Sequence, residues 1–119
     1  MAEVYLAKAR GVAGFERLVA VKRILPELSQ DETFTSMFVD EARIAAHLKH
    51  PNIVEIHELG RHEGAYFISM EYVPGRDLRL TADAARRAEV PFPAPLALHV
   101  VTRVADALDH AHRARDPDG

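Results

Sequence analysis

Apolar and polar residues alternate over positions 3–9 (EVYLAKA) and again over 17–24 (RLVAVKRI). This period of two sends successive side chains to opposite faces of a strand. Gly11 and Gly14 lie between the runs as turn material, so the pair reads as a hairpin. After Pro26 the spacing changes. Ser29-Gln30-Asp31-Glu32 has the S-x-x-E form of a capping box, in which side chains satisfy the free backbone donors at a helix start. Phe34, Phe38, Ala45 and Leu48 then recur at helical intervals until His50-Pro51-Asn52, where proline disfavours the α conformation of the residue before it. Positions 53–59 and 65–73 read as two further strands joined at Glu63-Gly64, the second ended by Pro74-Gly75. Positions 77–88 predict a charged helix, and the proline-bounded stretch 90–95 (VPFPAP) separates it from a last helix over 95–113. Leu96, Val100, Val104, Leu108 and Ala111 make that helix amphipathic, and 116–119 read as loop. Strand, strand, helix, strand, strand, then helices is the order of an α+β lobe with an antiparallel sheet.

Two charged residues break this pattern. Glu41 falls in the apolar stripe 34, 38, 41, 45, 48 of the first helix, where a carboxylate is desolvated unless a cation or donor meets it. Lys22 shares a strand face with Leu18, Ala20 and Ile24. A lysine and a glutamate each displaced onto an apolar face are candidates for a buried or half-buried ion pair. The alternative is that both side chains snorkel to water along their aliphatic stems.

Composition narrows the function classes. The 119 residues suit one small domain or part of a larger one, and 48% hydrophobic with 28% charged residues is a globular balance. A net charge of −3 offers no broad basic footprint, so nucleic acid is excluded as an expected partner. The chain has no cysteine, which removes disulfides, thiol nucleophiles and thiolate metal sites and fits a reducing compartment. No window reaches the roughly 18 apolar residues that a membrane span needs, and the first residues contain no signal-peptide core, so the expected location is cytoplasmic. The seven histidines are scattered; His110 and His112, two apart on a helix, face different ways, and no metal site is expected.

Val19-Ala20-Val21-Lys22 resembles the third-strand lysine motif of protein kinases. Further motifs follow in the family's order. Phe38-Val39-Asp40-Glu41-Ala42-Arg43-Ile44 resembles the kinase helix αC, which makes Glu41 the partner of Lys22, and His50-Pro51-Asn52-Ile53-Val54 is similar to the turn after that helix. Ile68-Ser69-Met70-Glu71-Tyr72-Val73-Pro74-Gly75 looks like the fifth strand entering the hinge, with Met70 as gatekeeper. Four ordered motifs are far more specific than any one of them. The wording around Glu41 and Met70 is most similar to bacterial, eukaryotic-like serine/threonine kinases. The resemblance implies that the backbones of Glu71 and Val73 bond adenine, Asp77 faces the ribose, Val4 and Ala20 pack over the purine, and Lys22, held by Glu41, bridges the ATP phosphates. It also implies a kinase N-lobe over 1–74 and the hinge exit with helices αD and αE over 75–119. The implied partners are ATP with Mg²⁺ and the protein substrates of a parent kinase.

Met1-Ala2-Glu3-Val4 matches only the end of the family's Gly-rich loop, with Ala2 where its third glycine falls. The H-R and R-D within 110–116 lie at a helix end and lack the downstream asparagine of a catalytic loop. No catalytic-loop aspartate and no Mg²⁺ ligands are therefore assigned, and the chain by itself is expected to be inactive. Self-association through an uncovered strand edge or apolar surface is expected as well. The rival readings are a non-catalytic interaction module or pseudokinase-like lobe, and a small-molecule phosphotransferase with a kinase-like lobe.

Overall fold

The computed structural model describes residues 2–115. A four-stranded antiparallel sheet is formed by β1 (Ala2–Arg10), β2 (Glu16–Ile24), β3 (Ile56–His62) and β4 (Ala65–Glu71), in the spatial order β1-β2-β4-β3. The two hairpins expected from the alternation are present. The first closes through a short 3₁₀ turn at Val12–Gly14, where Gly14 takes φ 74° and the Gly11 amide donates to the Phe15 carbonyl at 2.8 Å. The second turns at Glu63 and Gly64, with φ of 50° and 80°, the left-handed pair that matches the twist of a two-residue hairpin.

Helix α1 (Glu32–Ala46) packs across β3 and β4. Ile24, Phe38, Ala42 and Ile68 are buried together, with Leu28, Phe34, Ile56, Leu59, Tyr66 and Met70 packed around them. The helix begins differently from the capping-box expectation. Asp31, in extended conformation, is the N-cap, and its carboxylate accepts from the Phe34 amide at 3.0 Å. Ser29 is taken by the preceding 3₁₀ turn (Pro26–Leu28), where its hydroxyl donates to the Pro26 carbonyl at 2.7 Å. The helix also ends earlier, at Ala46, because His47 caps it through a 2.7 Å bond between Nδ1 and the Arg43 carbonyl.

The third strand starts at Ile56 rather than Ile53. Residues 50–53 are coiled into a turn, with the Asn52 amide donating to His50 Nδ1 (3.1 Å) and the Ile53 amide to the His50 carbonyl (3.1 Å). A bulge then falls between Ile56 and Glu58, which restores the register of the apolar face. Gly60 lies opposite Phe67, whose ring covers it so closely that a Cβ there would stand 2.3 Å from the ring tip. Phe67 thus requires a glycine across the ladder.

Two helices follow, α2 (Leu78–Arg87) and α3 (Ala94–Arg113). Asp77 caps α2 by accepting from the Leu80 amide at 2.8 Å. Among their described residues only Ala107 is buried, and the amphipathic face of α3 is largely exposed. Two contacts join α3 to the turn after α1: Asn52 Nδ2 donates to the Arg103 carbonyl at 3.0 Å, and the His50 and His110 rings lie 5.1 Å apart. No helix among the described residues is long and apolar enough to cross a membrane.

Candidate functional site

The strand register assembles the site. Directly opposed residues on antiparallel neighbours share a face, and Lys22 pairs with Val4 on β1 and Ile68 on β4, while Ala20 pairs with Leu6 and Met70. With the period of two along β2, these pairings put Val4, Leu6, Ala20, Lys22, Ile24, Ile68 and Met70 on one face of the sheet. Helix α1 covers only the end that holds Ile24 and Ile68. Val4 and Leu6 stay exposed and Ala20 half-buried, which leaves an apolar patch beside the Lys22 ammonium.

Lys22 Nζ lies 3.8 Å from Glu41 Oε1, so the two misplaced charges do meet. Their burial differs from the reading of the stripe. The side chain of Lys22 is 33% exposed and that of Glu41 70% exposed. The buried position on α1 belongs to Ala42, one residue on, in line with Phe38. A helix advances by about 100° per residue, since 3.6 residues make a turn, and this single step carries Glu41 from the core to its rim. An exposed pair of this kind contributes little to stability. It sets an ammonium and a carboxylate side by side at the rim of the core.

Beyond β4 the chain is open. Met70 is half-buried behind the patch, against the core. The Glu71 amide donates to the Glu55 carbonyl (2.8 Å), and the Glu71 carboxylate accepts from the Glu55 amide (3.2 Å), so that side chain is turned toward the 50–55 turn. Val73 is exposed, and its amide has no hydrogen-bond partner among the described residues. Gly75 takes φ 126°, a conformation that side chains disfavour, as the segment bends toward α2. At Asp77 one carboxylate oxygen, Oδ1, is engaged in the helix cap, and a carboxylate has a second.

The other face of β1 carries Glu3 and Tyr5. The Tyr5 hydroxyl donates to the Glu3 carboxylate, and this bond holds the phenol above its ordinary pKa. Two shallow cavities lie away from the patch: one of about 450 Å³ between the start of α1 and Arg61 and Tyr66, and one of about 400 Å³ beneath residues 48–55 and Glu71. Neither is lined by Val4, Ala20 or Lys22. Among the described residues no group of three or more histidine, cysteine, aspartate or glutamate side chains is placed to hold a metal ion. Leu6 is the residue of this face that the motif comparison passed over. Pairing the two alternating runs about the Gly11–Gly14 turn would have set it opposite Ala20.

An ammonium held by a carboxylate from the facing helix, beside an open apolar patch and a segment with a free amide, is an arrangement for a flat base with an anionic tail. Among known proteins, the protein kinase domain model matches residues 1–115. The chain belongs to the protein kinase family. Its relatives include tyrosine-protein kinase MasK of Myxococcus xanthus, 48% identical over 119 residues, which are all of this chain and 18% of that protein. Serine/threonine-protein kinase PknI of Mycobacterium tuberculosis is 39% identical over 113 residues, 95% of this chain and 18% of that protein. The crystal structure of the PknI kinase domain superposes with a TM-score of 0.72 at 39% identity, covering 95% of this chain and 43% of that one. The kinase segment thus spans less than a fifth of these two curated relatives. Its four-stranded antiparallel sheet and helices match the N-lobe of the solved kinase domains. Protein kinases use ATP with Mg²⁺ as the phosphoryl donor.

Proposed function

We propose that this segment holds ATP for a cytoplasmic serine/threonine protein kinase, with residues 1–74 as its N-lobe and 75–119 as the hinge exit and first helices of its C-lobe. The observation that carries the reading is the Lys22–Glu41 contact at the border of the uncovered patch formed by Val4, Leu6 and Ala20. Val4 and Ala20, side by side on one face of the sheet, cover one face of the purine and exclude water from it, with Met70 limiting the depth of the slot. The Glu71 amide is already bonded to Glu55, so Glu71 offers its carbonyl to the base, while Val73 offers its amide. Lys22 places a positive charge against the ATP phosphates, and Glu41 restrains the direction in which its stem extends. Asp77 keeps one carboxylate oxygen for the ribose while the other caps α2. ATP and Mg²⁺, when bound, supply the transferable phosphoryl group and the cation that offsets its charge.

Serine/threonine specificity rests on relatives named as serine/threonine-protein kinases, among them PknI, PknJ and PknH, against one named as a tyrosine-protein kinase. The test of the site is calorimetry of this chain with ATP and Mg²⁺. Saturable binding is expected, and Lys22→Met is expected to weaken it at least about tenfold, in keeping with the loss of a charged hydrogen-bonding partner. Equal binding by the native and Lys22→Met chains would remove the assignment. A second reading, a protein-interaction module, is favoured by one observation, the exposed apolar residues Leu98, Val101 and Val104 of α3. Tight binding of a protein partner with no influence of nucleotide would select it.

A further inference from the structure

Lys22 has a second neighbour on α1. Its Nζ lies over the ring of Phe38, 5.8 Å from the centroid. Phe38 stands three residues before Glu41, so the two side chains are neighbours on the helix surface. Their surroundings are opposite. Phe38 is 4% exposed and packed with Ile24, Ala42 and Ile68, which leaves its ring no room to turn away. Glu41 stands mostly in water, where a carboxylate on a flexible stem has other hydration states to occupy.

We propose that Phe38 is a positioning residue for Lys22, its ring face holding the ammonium over α1 by a cation–π contact while Glu41 limits lateral movement. The face of an aromatic ring carries negative quadrupolar charge, and the attraction is larger where water is partly excluded, as it is around the half-buried Lys22 stem. The inference rests on the reading of Lys22 as the group that meets the ATP phosphates. Its consequence is that the lysine is aimed by two groups on one helix, one anchored in the core and one in solvent. A rotation of α1 removes both contacts together, whereas loss of the Glu41 charge alone leaves the ring in place.

Ring fluorination tests this without changing the packing greatly, because each added fluorine drains the ring face while keeping its shape. The chain would be prepared with 4-fluoro-, 3,5-difluoro- and 3,4,5-trifluorophenylalanine at position 38, and its affinity for ATP with Mg²⁺ measured by calorimetry. A stepwise loss is expected, reaching about three- to tenfold at three fluorines, the range of a partly desolvated cation–π contact. Proton NMR should show the Lys22 ε-methylene shifted upfield by the ring in the native chain, kept in Phe38→Tyr and lost in Phe38→Leu. A flat fluorine series, in chains that unfold cooperatively and lose ATP binding on Lys22→Met, would overturn the role of Phe38 alone. ATP binding untouched by Lys22→Met would overturn the phosphate reading and this inference with it.

Discussion

Ile24 at the end of β2 and Leu98 in the second turn of α3 are aliphatic residues of similar size, each on an amphipathic element, yet Ile24 is fully buried and Leu98 is 68% exposed. The sheet and α1 present their apolar faces to each other and close a core. Helices α2 and α3 have the same kind of pattern and little described surface to meet it, so most of their leucines and valines remain in contact with water. An amphipathic stripe specifies which side of an element is to be covered; the energy comes only when another surface covers it.

The contrast is broken most directly by truncating both side chains. Ile24→Ala is expected to cost about 2–5 kcal/mol, the range for emptying a well-packed site, whereas Leu98→Ala should stay within about 0.5 kcal/mol. Urea denaturation followed by circular dichroism measures both, and equal losses would show that α3 shares the core's cooperativity. A smaller effect is expected at Gly60. Gly60→Ala drives a methyl group into the Phe67 ring and should cost about 1–3 kcal/mol, most of it recovered in the Gly60→Ala, Phe67→Leu double variant; absence of recovery would place the cost in the backbone instead. The finest comparison uses the two aspartate caps. Asp31→Ala and Asp77→Ala each lose one side-chain bond to a helix amide, worth about 1 kcal/mol. The first should lower the midpoint for the whole sheet lobe, because α1 is part of its core. The second should raise amide exchange only within α2, as followed by hydrogen–deuterium exchange with mass spectrometry.

Much of the lobe was legible because its signals are local. Alternation over 3–9 and 17–24, and the left-handed pair at Glu63-Gly64, set the hairpins without reference to anything distant. Two departures, at Ser29 and Ile53, share one cause, competition between neighbouring segments for the same residue. Ser29 has the right chemistry for a cap, but the turn at Pro26 claims its hydroxyl before α1 begins. Ile53 starts an apolar run, yet the bonds to His50 hold it in a turn and postpone β3 to Ile56. Glu41 was placed in the stripe by spacing alone; only the packing of Phe38 and Ala42 against the sheet decides which of 41 and 42 faces inward. The Lys22–Glu41 contact survives that correction because both side chains are long enough to meet at the rim.

The bond from Asn52 to the Arg103 carbonyl has a mechanical consequence. Arg103 stands at the middle of the 20-residue α3, so a helix of about 30 Å is gripped near its centre, with arms of about 15 Å on either side. A grip at the centre resists sliding but gives little resistance to tilting, which makes Asn52 a fulcrum and α3 a beam. The His50 and His110 rings, tilted 41° to each other two turns away along one arm, act as a stop against tilting in one direction. Load applied at either end of the beam becomes torque on the turn that closes α1, and α1 is the helix from which both Phe38 and Glu41 reach the lysine.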